Sequence, residues 1–151
     1  MDDGSFKNEL ETAIRHVYEQ GSRSHVPSTY DENNKCLKIG GCKYLHPDGR
    51  RCAIGWLMTD DELTRFVDTL GGVGMLQRMK WREGQYTLDQ LNKLQALQAA
   101  HDRCRPPDTD SASDFHTVVE YEPDDFRKQF IIRLIQGGLE NFVPRDLLTD
   151  A

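Results

Sequence analysis

Residues 42–58 read CKYLHPDGRRCAIGWLM. Two cysteines flank a turn, and the second opens an apolar run. HPDG at 46–49 is a turn signature: Pro47 presets its φ for the second position, Asp48 suits the third, and Gly49 accepts positive φ. The arms KYL and RRCAI read as short strands. CLKI at 36–39, separated from Cys42 by Gly40-Gly41, is a third candidate. The stretch therefore predicts a β-hairpin that can extend to a three-stranded meander. A type I turn with a bulge at Gly49 would pair His46 with Arg50, Tyr44 with Cys52, and Cys42 with Ile54. Side chains alternate along a strand, so Cys42, Tyr44, Cys52 and Ile54 would share one face. Cys42 and Cys52 then become diagonal neighbours about 7 Å apart at Cα, outside the geometry a disulfide prefers. The simplest account is a pair of small thiols on a buried face.

Working outward, helical signals surround this unit. Ser5 is placed to cap a first helix, with Phe6, Leu10, Ala13, Ile14 and Val17 at 3.6-residue spacing and Gly21 as its stop. His16 lies off that stripe and is expected to be exposed. Residues 22–34, SRSHVPSTYDENN, are polar and rich in turn formers and read as a loop. Thr59-Asp60-Asp61-Glu62 is a capping box that opens a helix with Leu63, Phe66, Val67 and Leu70 inward; Gly71-Gly72 stops it. A short helix is expected over 73–81, using Met75, Leu76 and Met79. Thr87 caps the clearest helix, TLDQLNKLQALQAAHDRC, whose stripe is Leu88, Leu91, Leu94, Leu97, His101 and Cys104; Pro106-Pro107 ends it. DTDSAS is a polar loop, and HTVVEYE is ambiguous between strand and irregular chain. Pro123 suits a first helical turn, followed by Phe126, Phe130, Ile131, Leu134 and Ile135. The tail is expected to dock through Leu139, Phe142 and Leu147.

These elements predict an α+β fold: four or five helices packed around a small antiparallel β-hairpin or three-stranded meander. The 151 residues suffice for one domain with a real core, taken as 1–151 with flexible loops at 22–34 and 105–122. The hairpin is expected to pack on the helix at 87–104.

The composition is that of an ordinary globule, with 37% hydrophobic and 29% charged residues. No apolar run is long enough to cross a membrane, and MDDGSFKNEL does not read as a secretory signal. A cytoplasmic, reducing location is the expectation, where the four cysteines would be thiols or metal ligands. The net charge of −6 argues against nucleic acid or anionic lipid as a partner. The charge is uneven. Lys35, Lys38, Lys43, Arg50 and Arg51 make the hairpin region basic, and Arg78, Lys80 and Arg82 surround Trp81. Residues 108–125 carry Asp108, Asp110, Asp114, Glu120, Glu122, Asp124 and Asp125 without Lys or Arg. An acidic solvated segment is the plain reading; an acidic surface for a basic partner is the sharper one. Arg50, Arg51 and Trp81 are candidate binding residues.

Two chemistries are open to these residues. For zinc, the donors are Cys36, Cys42, His46, Cys52, His101 and Cys104, but the spacings C-x5-C and C-x9-C form no knuckle. A site assembled from hairpin and helix would use Cys42, Cys52 and His101. For a cysteine nucleophile, Cys52 precedes a run that can turn into a short helix, whose amide dipoles favour thiolate. His101 would be its base, against the plainer reading of a core histidine bonded to a carbonyl or carboxylate. Asp102 is the third candidate, although neighbouring helical residues diverge by about 100°, which argues against its orienting the imidazole. An aspartate near a helix C-terminus opposes the dipole and calls for a partner, such as a hairpin arginine. No phosphate loop, GxGxxG after a strand, HExxH or GxSxG occurs; GGVG at 71–74 follows a helix and reads as a stop.

Cys42, Tyr44, Pro47-Asp48-Gly49, Cys52-Ala53-Ile54-Gly55 and Leu97-Gln98-x-x-His101-Asp102 together resemble a family of small uncharacterised phage and prophage proteins. The likeness covers 42–62 and 94–102 well and the last helix loosely. Where the family carries a Pro before the acidic pair, Met58-Thr59 stands here; the acidic loop is longer, and residues 22–41 are not covered. The resemblance implies a hairpin-plus-helix unit and a phage context, and no particular reaction. The leading expectation is a non-enzymatic phage or mobile-element accessory protein that binds a host protein, such as a defence or metabolic protein, and modulates it. The alternatives are a cysteine-dependent hydrolase or transferase using Cys52 with His101, and a zinc-stabilised binding module.

Overall fold

The computed structural model describes residues 1–38, 40–69, 72–107 and 119–148. Expectations for Ile39, Leu70, Gly71 and 108–118, including Asp108, Asp110, Asp114 and most of the loop at 105–122, lie outside the described residues. The elements are α1 (Asp3–Gln20), β1 (His25–Val26), β2 (Thr29–Tyr30), β3 (Cys36–Lys38), β4 (Gly41–Cys42), a 3₁₀ turn (Gly55–Leu57), α2 (Asp60–Phe66), α3 (Val73–Arg78), α4 (Leu88–Asp102), α5 (Pro123–Gln136), a second 3₁₀ turn (Glu140–Phe142) and α6 (Arg145–Leu148). The α+β class is as expected. One strand, β3, falls on the predicted CLKI arm, but the arms KYL and RRCAI are not strands, and the other strands lie at 25–26, 29–30 and 41–42.

Residues 22–34 are not simply a loop. β1 pairs antiparallel with β4 (His25 opposite Cys42), and β2 with β3 (Thr29 opposite Lys38). Together they make one folded-back β-arm over 25–42. Its tip is closed by Asp31, whose carboxylate accepts the N–H groups of Asn33 and Lys35. The arm is interrupted where Pro27 supplies no N–H and where Gly40 meets the opposite chain. A Cβ on Gly40 would lie 2.1 Å from the Val26 carbonyl oxygen. β3 therefore does not extend the HPDG hairpin into a meander, because its partner is β2.

The HPDG turn forms as read: the N–H of Gly49 donates to the carbonyl of His46 (2.9 Å), and that of His46 to Arg50 (2.7 Å). Gly49 has φ +98°. Beyond this the register differs. Cys52 donates to Lys43 rather than standing opposite Tyr44, and Lys43 donates to Ser24. The edge at 42–43 is thus shared with the chain at 24–25. Cys52 and Ile54 are nonetheless fully buried and Tyr44 nearly so. Gly55 lies against the Tyr44 carbonyl, where a Cβ would sit 2.0 Å from the oxygen.

Helix boundaries follow side-chain capping. Asp2, not Ser5, caps α1 by accepting the Ser5 N–H; an aspartate at this position also meets the positive end of the helix dipole. Thr59 and Thr87 both form complete capping boxes, with Glu62 and Gln90. Phe6, Leu10, Ala13, Ile14 and Val17 are buried as expected. So are Leu63, Phe66, Leu76, Leu94, Leu97, His101, Cys104, Phe126, Phe130, Ile131, Leu134, Leu139 and Leu147. Leu88, Met75, Met79 and Ile135 stand on predicted faces but are exposed, because each lies at the margin of its stripe or end of its helix. His16 is half-buried, stacked on Trp56 at 4.4 Å. α1 packs against the first 3₁₀ turn and α5, and α4 against α3 and α5.

Candidate functional site

The C-terminal turn of α4 meets the β-arm and the Cys52–Gly55 turn. Gln98 reaches both ways: its Oε1 accepts the N–H of Ile54 (3.2 Å), and its Nε2 donates to Asp102 Oδ1 (2.9 Å). His101 is completely buried. Its Nε2 accepts the backbone N–H of Ser24 at 3.1 Å, and its Nδ1 lies 2.8 Å from Asp102 Oδ1. A backbone N–H can only donate, so Nε2 carries the lone pair and Nδ1 the proton. The ring is a neutral imidazole donating to the carboxylate.

Asp102 does orient His101, against the expectation from helical divergence. It is the last residue of α4, and its short side chain folds sideways onto the ring. Its partners are His101, Gln98 and Cys42, not a hairpin arginine; Arg23 instead donates to the Asp102 carbonyl oxygen at 2.6 Å. Burial would raise the Asp102 carboxyl, but the hydrogen bond from His101, with those from Cys42 and Gln98, holds it below the ordinary carboxylate range. Arg23, almost wholly buried, is held by Glu120 at 2.6 Å.

Cys52 is fully buried, and its Sγ accepts the N–H of Gly55 at 3.3 Å. The turn's amides do favour its thiolate, as expected, but burial outweighs them and pushes the thiol up to about 12. Burial, and then the neighbouring Asp102 carboxylate, also push Cys42 up. Neither thiol carries the depressed pKa of an activated nucleophile, and His101 has no free nitrogen to act as base for Cys52.

The cation-ligand geometry differs from the predicted Cys42, Cys52 and His101. The donor atoms of Cys42, His101 and Asp102 lie within 4.8 Å of one another. In this arrangement, however, the ring offers no lone pair. Nε2 faces the Ser24 N–H, and a cation at Nδ1 would force a proton onto Nε2, opposing two donors. The trio fits a hydrogen-bonded clamp better than a zinc site.

The predicted binding residues serve internal contacts. Arg50 donates to Asp48 (2.8 Å) and to the Arg23 carbonyl (2.8 Å). Arg51 lies over the Trp56 ring at 4.9 Å. Trp81 is buried rather than available for stacking, and Arg82 covers its face at 5.0 Å. Sequence reading missed Arg23 and Ser24, which sit in the stretch taken as a loop, and gave Gln98 no chemical role. Its motif position beside His101 was the available signal. Cys42, Tyr44, Gln98 and Asp102 form one wall of a cleft whose other residues include Arg103, Arg105 and Arg133. No family model, curated protein or solved structure matches the chain.

Proposed function

We propose that this protein is a non-enzymatic accessory protein of a phage or mobile element that binds a host protein, such as a defence or metabolic protein, and modulates it. The observation that carries the reading is the commitment of His101: Ser24 N–H on one nitrogen and Asp102 on the other. Cys52 is a buried, neutral thiol bonded within its own turn, and His101 and Asp102 are used to hold the end of α4 to Ser24 at the foot of the β-arm. The motif shared with the phage-type family then encodes a structural clamp, and the role falls to the surface it supports. The test is cross-linking in a host bacterium that expresses the chain, followed by reconstitution of the complex from two purified proteins. A saturable, stoichiometric complex that changes the partner's activity is expected. Turnover of a small molecule by the wild type, lost in a folded Cys52→Ala variant, would overturn the proposal.

A further inference from the structure

The end of α4, the base of the β-arm and the last turn of α5 enclose a cleft of about 810 Å³. Small-molecule sites run from roughly 300 to 1,000 Å³. Among its described lining residues, Arg23, Arg103, Arg105 and Arg133 face a single carboxylate, Asp102. Two of these groups are already engaged: Arg23 by Glu120, and Asp102 by His101 and Gln98. Two others are not. The Arg103 side chain, on the exposed C-cap of α4, makes no hydrogen bond or ion pair among the described residues. Arg133 keeps its Nε buried with no hydrogen-bond partner among them. A third polar atom shares this state: His25 Nδ1, on β1, is buried and unpartnered.

Buried nitrogens without partners are rare and call for a water or a ligand. Here two of them line one cleft, beside the Arg103 guanidinium, which has no side-chain partner among the described residues. They come from three directions, α4, α5 and β1. Opposite, Gly41 leaves open space, since a Cβ there would touch nothing within 4 Å. A carboxylate offers two coplanar oxygens and suits one guanidinium fork. Donors converging from several elements suit a group with three terminal oxygens.

We infer that this cleft binds a phosphorylated small molecule, its phosphoryl oxygens taken by the Arg103 and Arg133 guanidiniums and the His25 imidazole. Cys42, Gln98 and Asp102 form one wall of the same cleft, but the proposed contacts to the phosphoryl group use none of them; the clamp serves to hold α4 to the β-arm. It does not require a protein partner.

Isothermal titration of the full chain with pyrophosphate, AMP and ATP tests the inference, with citrate as the carboxylate comparator. Saturable 1:1 binding to at least one phosphate probe is expected, weakening as salt rises. Arg133→Gln and Arg103→Gln should each weaken it about tenfold or more, while Arg15→Gln, which removes a distant surface pair with Asp146, should leave it unchanged. Arg103 is exposed, so its variant reads binding without disturbing the core; circular dichroism checks the fold of both. Three results would each overturn the inference: no saturation by any phosphate probe at millimolar concentration, citrate bound as tightly, or affinity unmoved by both cleft variants.

Discussion

His101 carries two hydrogen bonds that between them assign its proton, and this decides what the thiols around it can do. With burial opposing charge and both His101 nitrogens committed, Cys52 stays protonated through neutral and mildly alkaline pH. Cys104, also pushed up to about 12 by burial, behaves alike. Cys36 is exposed on the β-arm. Alkylation with iodoacetamide, followed site by site by mass spectrometry, should therefore label Cys36 quickly from pH 7 to 9. Cys52 and Cys104 should react only as the protein unfolds, at rates that follow denaturant rather than pH. Fast native labelling of Cys52 at pH 7 would contradict the structural role given to it. The His101 contact with Asp102 was misjudged from sequence because helical divergence describes Cβ directions. It does not say how far a short carboxylate at the final turn can lean.

At the scale of elements, the turn between Cys52 and Leu57 is the part most tightly specified. Gly55 packs its Cα against the Tyr44 carbonyl, and no rotamer change can relieve a clash between backbone and Cβ. Gly55→Ala should cost about 3 kcal/mol, in line with overpacking of a closed site, read as a shift in the urea midpoint with the slope unchanged. A loss under half of that would mean the turn moves freely from Tyr44. The β-arm makes the contrasting case. Its strands are two or three residues long, too short for alternation to show. Its hairpin signal, DENN between STY and KCLKI, was hidden inside a stretch whose polarity reads as loop.

Across the whole molecule, Arg82 ties distant parts together. It donates to Glu62 of α2 (2.9 Å), to Tyr86 (2.7 Å) and to the Leu57 carbonyl (2.6 Å), and lies 3.4 Å from Glu9 of α1. Its side chain is only 13% exposed, so screening is limited and a lone Glu62 would be left partly buried. Arg82→Gln should lower stability by about 2–3 kcal/mol, below the roughly 3–5 kcal/mol of a fully buried pair because both glutamates retain some water. Thermal unfolding at low and high salt measures it; an unchanged midpoint would show the network to be dispensable. Of the basic cluster around Trp81, Arg82 serves this internal brace, while Arg78 and Lys80 are exposed.

The helices were legible because their information is local. Capping boxes at Thr59 and Thr87, glycine and proline stops, and apolar stripes such as Phe6 to Val17 act within a few residues, and the chain obeys them wherever it folds. The HPDG turn was legible for the same reason. Tertiary structure decided everything that depends on pairing across long separations. The β-arm took the edge at Cys42. Ser24 supplied the N–H that fixes the His101 tautomer, and Glu120 neutralised Arg23. Arg103 and Arg133, 30 positions apart in sequence, came to line one cleft. Residue type and spacing say which groups can bond. Which of them meet, and which are left without a partner, is set only when burial removes water and the packed elements choose the neighbours.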